Sequence, residues 1–183
     1  MSSKTYEEKV IELKSKIKSY SDFPKKGILF WDIFSALSDG PTCTLLQDIL
    51  TTTIRQRYPD VEAVIGIETR GFLFSFSIAA SLGIACIPVR KKGKLPGELL
   101  EYRYDLEYGS DTLEIQKNAI KPGLKCVIID DLIATGGSLT AAAALLQSCG
   151  ANILGCLVVI ELNELKGREN VPNNVQVHSI VNL

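Results

Sequence analysis

The segment at residues 125–140 constrains the fold of this chain more than any other. Its apolar run at 126–129 is short and β-branched, which is typical of a strand buried on both faces of a parallel sheet. Two adjacent carboxylates, Asp130 and Asp131, end that run, and a loop of small residues then leads into an Ala-rich helix at 139–146. The pattern therefore predicts an open α/β sheet, in which ligands bind at the carboxyl ends of the strands.

The loop after the two acids predicts an anion site. Glycine lets the main chain approach a phosphate closely, hydroxyls add donors, and the N–H groups at the start of a helix attract negative charge. Asp130 and Asp131 themselves suit sugar hydroxyls, or a divalent cation that accompanies phosphates. The residues predicted to bind the anion are Thr135, Gly136, Gly137 and Ser138.

Spacing and composition exclude several other classes of function. The chain contains neither G-x-G-x-x-G nor G-x-x-x-x-G-K-[ST], so dinucleotide and nucleoside-triphosphate loops of those types are absent. The 20 basic and 21 acidic residues nearly balance, which gives no argument for nucleic acid or a membrane surface as a partner. Five cysteines without C-x-x-C spacing, and no apolar run of membrane-spanning length, predict a cytoplasmic protein.

At 183 residues the chain is predicted to form a single domain, with residues 1–35 as an N-terminal segment. A capping box, Thr5 to Glu8, starts an amphipathic helix whose apolar periodicity continues to Tyr20. Residues 28–34 are densely apolar and aromatic, and two interpretations fit them equally. They form either a core strand or a wall against a flat aromatic ligand.

A second strand-to-helix crossing is predicted around residues 63–82, with its polar tip at Glu68-Thr69-Arg70-Gly71. An Arg at such a tip can present a planar fork to phosphate oxygens. The next strand, 84–89, leads into a basic run that starts at Arg90, and residues 93–107 are predicted to form a mobile loop. Further helix is predicted at 41–57, and further strands at 112–116, 153–162 and 175–181. The single histidine, His178, is expected to have a structural role.

The strand, the two acids and the Thr-Gly-Gly-Ser loop resemble the 5-phosphoribosyl-1-diphosphate motif of type I phosphoribosyltransferases. Other motifs, in the same order along the chain, resemble those of the adenine phosphoribosyltransferases within that family. They are residues 23–33, Arg70-Gly71-Phe72-Leu73-Phe74, residues 90–97, Leu106-Glu107-Tyr108-Gly109, residues 113–116 and residues 165–169.

This resemblance implies a central, mostly parallel sheet flanked by helices, a small N-terminal hood that binds the base, and a flexible catalytic loop. It implies conversion of adenine and 5-phosphoribosyl-1-diphosphate to AMP and pyrophosphate with Mg²⁺, a purine salvage reaction, by a homodimer. The implied catalytic residues are Glu107 and Arg70, and Tyr108 lies in the lid. The 5′-phosphate would contact residues 134–138, which include Ala134. Pyrophosphate would contact Glu68, Thr69, Arg70, Arg90 and Lys94, and adenine would contact Ile28, Leu29 and Trp31. No side chain is assigned as a direct metal ligand, although Asp130 and Asp131 are candidates.

Two alternatives stay open at this point. The chain could transfer phosphoribose to another base, or it could be a ligand-sensing regulator of the same fold without catalysis. The lid motif with Glu107 and Tyr108 favours an enzyme, and no added DNA-binding domain is visible. The Arg-Gly-Phe-Leu-Phe and Leu-Glu-Tyr-Gly motifs argue against a hypoxanthine/guanine or orotate transferase.

Overall fold

The computed structural model describes residues 4–105 and 110–183, and the chain divides into two compact units, Met1–Gln56 and Arg57–Leu183. Helix α1 (Tyr6–Lys16) opens the first unit at the predicted capping box. There the Glu8 amide donates to Thr5 Oγ1 at 3.2 Å, and the Thr5 amide donates to the Glu8 carboxylate at 2.8 Å. These bonds satisfy two helix-end donors and fix the start of the helix.

The prediction that this helix continues to Tyr20 is wrong. The helix ends at Lys16, and Lys18–Ser21 forms strand β1, antiparallel to strand β2 (Leu29–Asp32). Pairing with a strand that comes later in the chain supplies the backbone hydrogen bonds, so tertiary structure overrides the local periodicity.

Strand β2 is not a core strand, because Leu29 is 49% exposed and the other three residues are half-buried. Its last residue, Asp32, accepts from the amides of Phe34 (3.0 Å) and Ser35 (3.1 Å) and thereby starts helix α2 (Ile33–Leu37). Helix α3 (Gly40–Arg57) follows, as predicted.

The second unit is an α/β fold, and the predicted fold class is confirmed. Its strands lie in the order β5-β6-β4-β3-β7-β8-β9, with the five strands from β4 to β9 parallel and β5 and β6 antiparallel to their neighbours. The elements are β3 (Ala63–Ile67), α4 (Gly71–Leu82), β4 (Ala85–Lys91), β5 (Leu99–Asp105), β6 (Ser110–Gln116), β7 (Lys125–Ile133), α5 (Gly137–Ser148), β8 (Asn152–Glu161) and β9 (Val177–Asn182).

The core of this unit follows from its uninterrupted apolar strands. Every residue of β3 is buried, and so are most residues of β7 and β8, because helices cover both faces of a parallel sheet. The alanines of α5 that face the sheet are fully buried and let this helix pack closely on it. No helix among the described residues has the length and apolar character that crossing a bilayer requires.

Part of the loop predicted at 93–107 is instead strand β5, which pairs with β6 along its whole length. Leu100 and Tyr104, four residues apart, pack against the core, whereas the intervening Glu101 and Arg103 are exposed. The period-two pattern is therefore present in the sequence, but the charged residues of the outer face mask it.

Strand β7 also differs from its prediction, because it continues through both acids to Ile133. Asp130 and Leu132 pair in register with Val158 and Ile160 of β8, so the ladder persists where the apolar run stops. The two carboxylates thus project from a rigid strand rather than from a loop.

Candidate active site

A cavity of about 360 Å³ lies at the carboxyl ends of β3 and β7, where the α/β architecture places ligand sites. It unites the two predicted strand-to-helix crossings. From the first it is lined by Glu68, Thr69 and Arg70, and from the second by Asp130, Asp131, Ala134, Thr135, Gly136, Gly137 and Ser138.

The anion-binding part of the cavity is the start of α5. Gly136 precedes the helix with φ 81°, a left-handed conformation that glycine adopts without steric cost, and no side chain caps the helix there. The first N–H groups of a helix have no partner within it, and the helix dipole adds partial positive charge at the same place. This turn is therefore built to accept an anionic oxygen.

A second segment, residues 167–170, supports this turn from behind. The Asn170 side-chain amide donates to the Thr135 carbonyl at 2.9 Å, and the Thr140 hydroxyl donates to the Asn170 carbonyl at 2.9 Å. The backbones of Gly136 and Gly167 pack so closely that a methyl group on either residue would overlap the other segment. Residue pattern alone predicts no structural role for residues 167–170. The close contact of Gly167 with Gly136 shows that this segment shapes the turn before α5.

The two acids are buried side by side. Asp130 is 9% exposed and Asp131 is 4% exposed, and the Asp131 amide donates to Asp130 Oδ1 at 2.9 Å. Arg70 Nε lies 2.8 Å from Asp131 Oδ2, so the guanidinium predicted to bind phosphate also neutralises one carboxylate. Gly71 lets the start of α4 lie against β7, because a Cβ at this position would lie only 2.6 Å from the Ile129 carbonyl oxygen.

Burial and the neighbouring carboxylate of Asp131 raise the pKa of Asp130 well above its usual value. Burial also raises the pKa of Asp131, although the nearby Arg70 opposes this. Burial therefore makes ionisation of Asp130 costly, and a hydroxyl donor or a cation beside it would favour its ionised form.

We expect Asp130→Asn to raise the melting temperature by a few degrees at alkaline pH. A raised pKa means that native protein binds the proton more tightly, so stability is present at low pH and is lost as pH rises through the folded-state pKa. The amide stays neutral throughout, so the advantage of the variant should grow with pH. Thermal unfolding between about pH 5 and pH 9, without divalent cations, measures this. Asp60→Asn, at an exposed aspartate, should show no such trend; an advantage that shrinks with rising pH would contradict the prediction.

Arg90 and Lys94 do not line the cavity. The Arg90 guanidinium binds the Glu68 carboxylate through two nitrogens, at 3.3 and 3.2 Å, and donates to the Lys94 carbonyl at 3.0 Å. The Glu68 carboxylate also accepts from the Lys91 amide at 2.9 Å. Glu68 is thus engaged with the basic segment, and although burial acts to raise its pKa, these hydrogen bonds outweigh that effect and lower it.

Three further polar residues line the cavity, and residue pattern does not place them there: Lys91, Tyr104 and Asp111. The Lys91 ammonium lies 3.1 Å from Asp111 Oδ2, and the Tyr104 hydroxyl interacts with the Ser138 side chain. Tyr104 and Asp111 are register partners on β5 and β6. The pairing of β5 with β6 brings both side chains to the cavity.

The remaining predicted residues belong to other segments of the chain. Glu107 and Tyr108 are outside the described residues. In the first unit, Ile28 is 40% exposed, Leu29 is 49% exposed and Trp31 is half-buried on β2. Among residues 4–105 and 110–183, no cluster of three or more His, Cys, Asp or Glu side chains could enclose a metal ion.

Comparison with known proteins places this site in a family. Residues 42–179 match the phosphoribosyl transferase domain model. The chain is 51% identical to the adenine phosphoribosyltransferase of Drosophila pseudoobscura pseudoobscura over 181 residues, which cover 99% of both chains. It is 45% identical to that of Clostridium perfringens over 171 residues, covering 93% of this chain and 98% of the relative.

Solved structures agree with this. The crystal structure of adenine phosphoribosyltransferase from Saccharomyces cerevisiae, complexed with an imino-altritol bisphosphate and adenine, is 40% identical with a TM-score of 0.90. The match covers 94% of this chain and 98% of the yeast chain. The uncapped start of α5, the buried acid pair and nearly full-length similarity point the same way: the chain belongs to the adenine phosphoribosyltransferase family.

Proposed function

We propose that this protein transfers the phosphoribosyl group of 5-phosphoribosyl-1-diphosphate to adenine, yielding AMP and pyrophosphate. One observation carries the proposal beyond family membership. A single cavity combines an uncapped helix start, which suits a phosphate, with two buried carboxylates, which suit sugar hydroxyls. Residues from both strand ends face the same small space, as a ligand with phosphate at one end and ribose in the middle requires.

We assign the 5′-phosphate to the turn of residues 134–138. Charge-assisted hydrogen bonds from backbone N–H groups contribute about 1.5–3 kcal/mol each. Binding energy gained at this remote group orients the sugar for reaction at its anomeric carbon. Asn170 and Gly167 support the turn from behind and reduce its freedom to move away from the phosphate.

We assign the ribose hydroxyls to Asp130 and Asp131. The bond from the anomeric carbon to pyrophosphate breaks as adenine N9 attacks, and positive charge develops on the ribose ring. Ionised carboxylates beside the ring stabilise that charge, and hydroxyl donors lower the cost of ionising the buried pair.

We assign the departing pyrophosphate to Thr69 and Arg70 at the tip of β3, together with the segment that carries Arg90 and Lys94. Arg70 is 37% exposed at its side chain and faces the cavity while it contacts Asp131. Glu68 contributes indirectly, because its carboxylate binds Arg90 and the Lys91 amide.

The residues present fit a bound Mg²⁺. This ion prefers oxygen ligands, keeps several waters, and is bound through one or two carboxylates together with substrate phosphates. Asp130 and Asp131 are such carboxylates beside the anion-binding turn, and no enclosed protein cage is needed. When bound, Mg²⁺ would neutralise charge on the diphosphate.

We propose that Glu107 accepts the N9 proton of adenine and that Tyr108 belongs to the lid, both on the strength of the family motif that contains them. The base itself we assign to Ile28, Leu29 and Trp31. Partly exposed apolar side chains of this kind suit a planar aromatic ligand.

Trp31 is the single tryptophan of the chain, so it reports on the base site. We expect its emission to shift or quench when adenine or AMP binds. Ribose 5-phosphate fills only the sugar and phosphate positions and should change the emission far less. Calorimetry confirms that each ligand is bound. Equal responses to AMP and ribose 5-phosphate, or no response to either, would remove Trp31 from the base site but leave the phosphate assignment standing.

We also propose that the two units work as one phosphoribosyltransferase domain and that the protein is a homodimer. The exposed face of α4 carries Leu73, 48% exposed, and Phe76, 71% exposed, and a second copy of the chain would cover such apolar side chains. Light scattering across a range of concentrations tests this assembly.

The function is tested by supplying adenine, hypoxanthine, guanine and orotate in turn with 5-phosphoribosyl-1-diphosphate and Mg²⁺. AMP formation from adenine, with no turnover of the other three bases, is the expected result. Efficient turnover of another base would change the substrate assignment. Tight binding of 5-phosphoribosyl-1-diphosphate without turnover of any base would favour a ligand-sensing regulator.

A further inference from the structure

Glu114 on β6 is a buried carboxylate to which no role has been given. Glu114 is 1% exposed and lies in the interior of the strand, and its neighbours Leu113 and Ile115 are apolar core residues. Burying a carboxylate is costly unless hydrogen bonds replace the lost water. Its partners therefore indicate what this charge stabilises.

The donors that reach this carboxylate come from one turn of the basic segment. The Glu114 carboxylate accepts from the amide of Gly93 at 2.9 Å, that of Lys94 at 2.7 Å and that of Leu95 at 2.6 Å. Three consecutive backbone donors thus converge on one side chain. Burial acts to raise the pKa of Glu114, but these hydrogen bonds outweigh it and hold the pKa below its usual value, so the group remains ionised.

A side-chain hydrogen bond from Arg90 also holds this turn. Arg90, the register partner of Glu114 on β4, donates to the Lys94 carbonyl at 3.0 Å. Gly93 has φ +79°, which permits the reversal of the chain between them. At the start of the segment, Glu68 binds both the Arg90 side chain and the Lys91 amide. Two carboxylates, one at the end of β3 and one on β6, therefore fix the ends of residues 90–95.

We propose that Glu114 is a positioning residue, which fixes the turn at residues 93–95 and thereby presents Arg90 and Lys94 to the pyrophosphate end of 5-phosphoribosyl-1-diphosphate. This rests on the proposed assignment of pyrophosphate to that segment. A flexible turn would have to be ordered each time the diphosphate binds, and a turn ordered in advance avoids that cost. The hydrogen bonds of Glu114 use the amides of the turn and do not engage the Lys94 side chain.

The test uses Glu114→Gln, which keeps the volume of the side chain but removes its charge and leaves one acceptor oxygen for three donors. We expect faster hydrogen exchange at the amides of residues 93–95. We also expect KM for 5-phosphoribosyl-1-diphosphate to rise about tenfold, with KM for adenine changed less than about twofold. Glu114→Asp keeps the charge on a shorter stem and should give intermediate values for both; it also serves if Glu114→Gln does not fold.

Glu98→Gln, at a strongly exposed carboxylate that precedes β5, is the matched control and should change neither readout. Lys94→Ala and the double variant Lys94→Ala/Glu114→Gln complete a double-mutant cycle. If Glu114 acts through Lys94, the rise in KM of the double variant is smaller than the product of the two single fold-changes.

The outcomes separate this proposal from the one on which it rests. If Lys94→Ala and Arg90→Ala raise KM for 5-phosphoribosyl-1-diphosphate but Glu114→Gln changes neither exchange nor KM, Glu114 has no positioning role. If none of the three variants alters that KM, the pyrophosphate assignment of the segment falls as well. An equal loss for both substrates with uniformly faster exchange would mean a general structural role and would also overturn the proposal.

Discussion

Gly167→Ala is expected to weaken binding of ribose 5-phosphate by about 100-fold, although the substituted residue lies behind the phosphate-binding turn. A methyl group there would overlap the Ala134 carbonyl oxygen, and its carbon would lie only 2.8 Å from the Gly136 amide nitrogen. Both neighbours are backbone atoms and cannot move aside by rotating a side chain, so the turn must shift. Calorimetric titration with ribose 5-phosphate measures the loss.

The matched control is Gly40→Ala. Gly40 begins α3 and an added Cβ there meets nothing within 4 Å, so this variant should bind ribose 5-phosphate like the wild type. The loss of binding free energy for ribose 5-phosphate in Gly167→Ala should also exceed any loss in its free energy of unfolding, which thermal unfolding measures. Wild-type affinity in a folded Gly167→Ala protein would show that the turn tolerates displacement and would contradict its assignment to the phosphate.

Asp131→Asn is expected to lower turnover about 100-fold, or roughly 2.7 kcal/mol, while affinity for ribose 5-phosphate changes less than about threefold. The substitution removes the charge that pairs with Arg70 at 2.8 Å and leaves that guanidinium without its buried partner. It also removes a carboxylate from beside the developing positive charge of the ribose ring. The phosphate turn is a separate group of backbone donors and stays intact. Single-turnover rates and calorimetry on the same preparation measure the two quantities.

Asp60→Asn, which removes an exposed carboxylate from a long ion pair with Lys125 at 3.5 Å, provides the control and should leave both quantities unchanged. Losses in turnover and affinity that are equal and small for Asp131→Asn would mean that the acid pair is only structural. Recovery of turnover in the double variant Arg70→Gln/Asp131→Asn would instead show that Arg70, left unpaired, causes the loss.

Much of the site is predictable because its parts are continuous in sequence. The buried strand, the acid pair and the turn of residues 134–138 form one strand-loop-helix unit, whose periodicity and glycine content are local properties. The same holds for the tip at Glu68 to Gly71, between β3 and α4. Strands β3 and β7 are parallel neighbours that end at the same edge of the sheet, so the two tips meet there.

Other parts depend on which strands pair. Residue pattern predicts a loop in place of β5 because the charged residues of its outer face hide the inward-facing Leu100 and Tyr104, and only pairing with β6 makes that strand stable. Tyr104 and Asp111 are consequently not predicted at the cavity. The predicted end of β7 is too early, because local hydrophobicity does not show that β8 continues the ladder past Asp130.

The sequence by itself therefore determined the fold class, the family and the two strand-to-helix tips that line the cavity, since these reside in short patterns of residue type. Tertiary structure alone decided which charges are paired: Arg70 with Asp131, Glu68 with Arg90, and Glu114 with three amides of a distant turn. The physical reason is that the cost of burying a charge, and the partner that offsets this cost, depend on neighbours brought together by sheet order rather than by the chain.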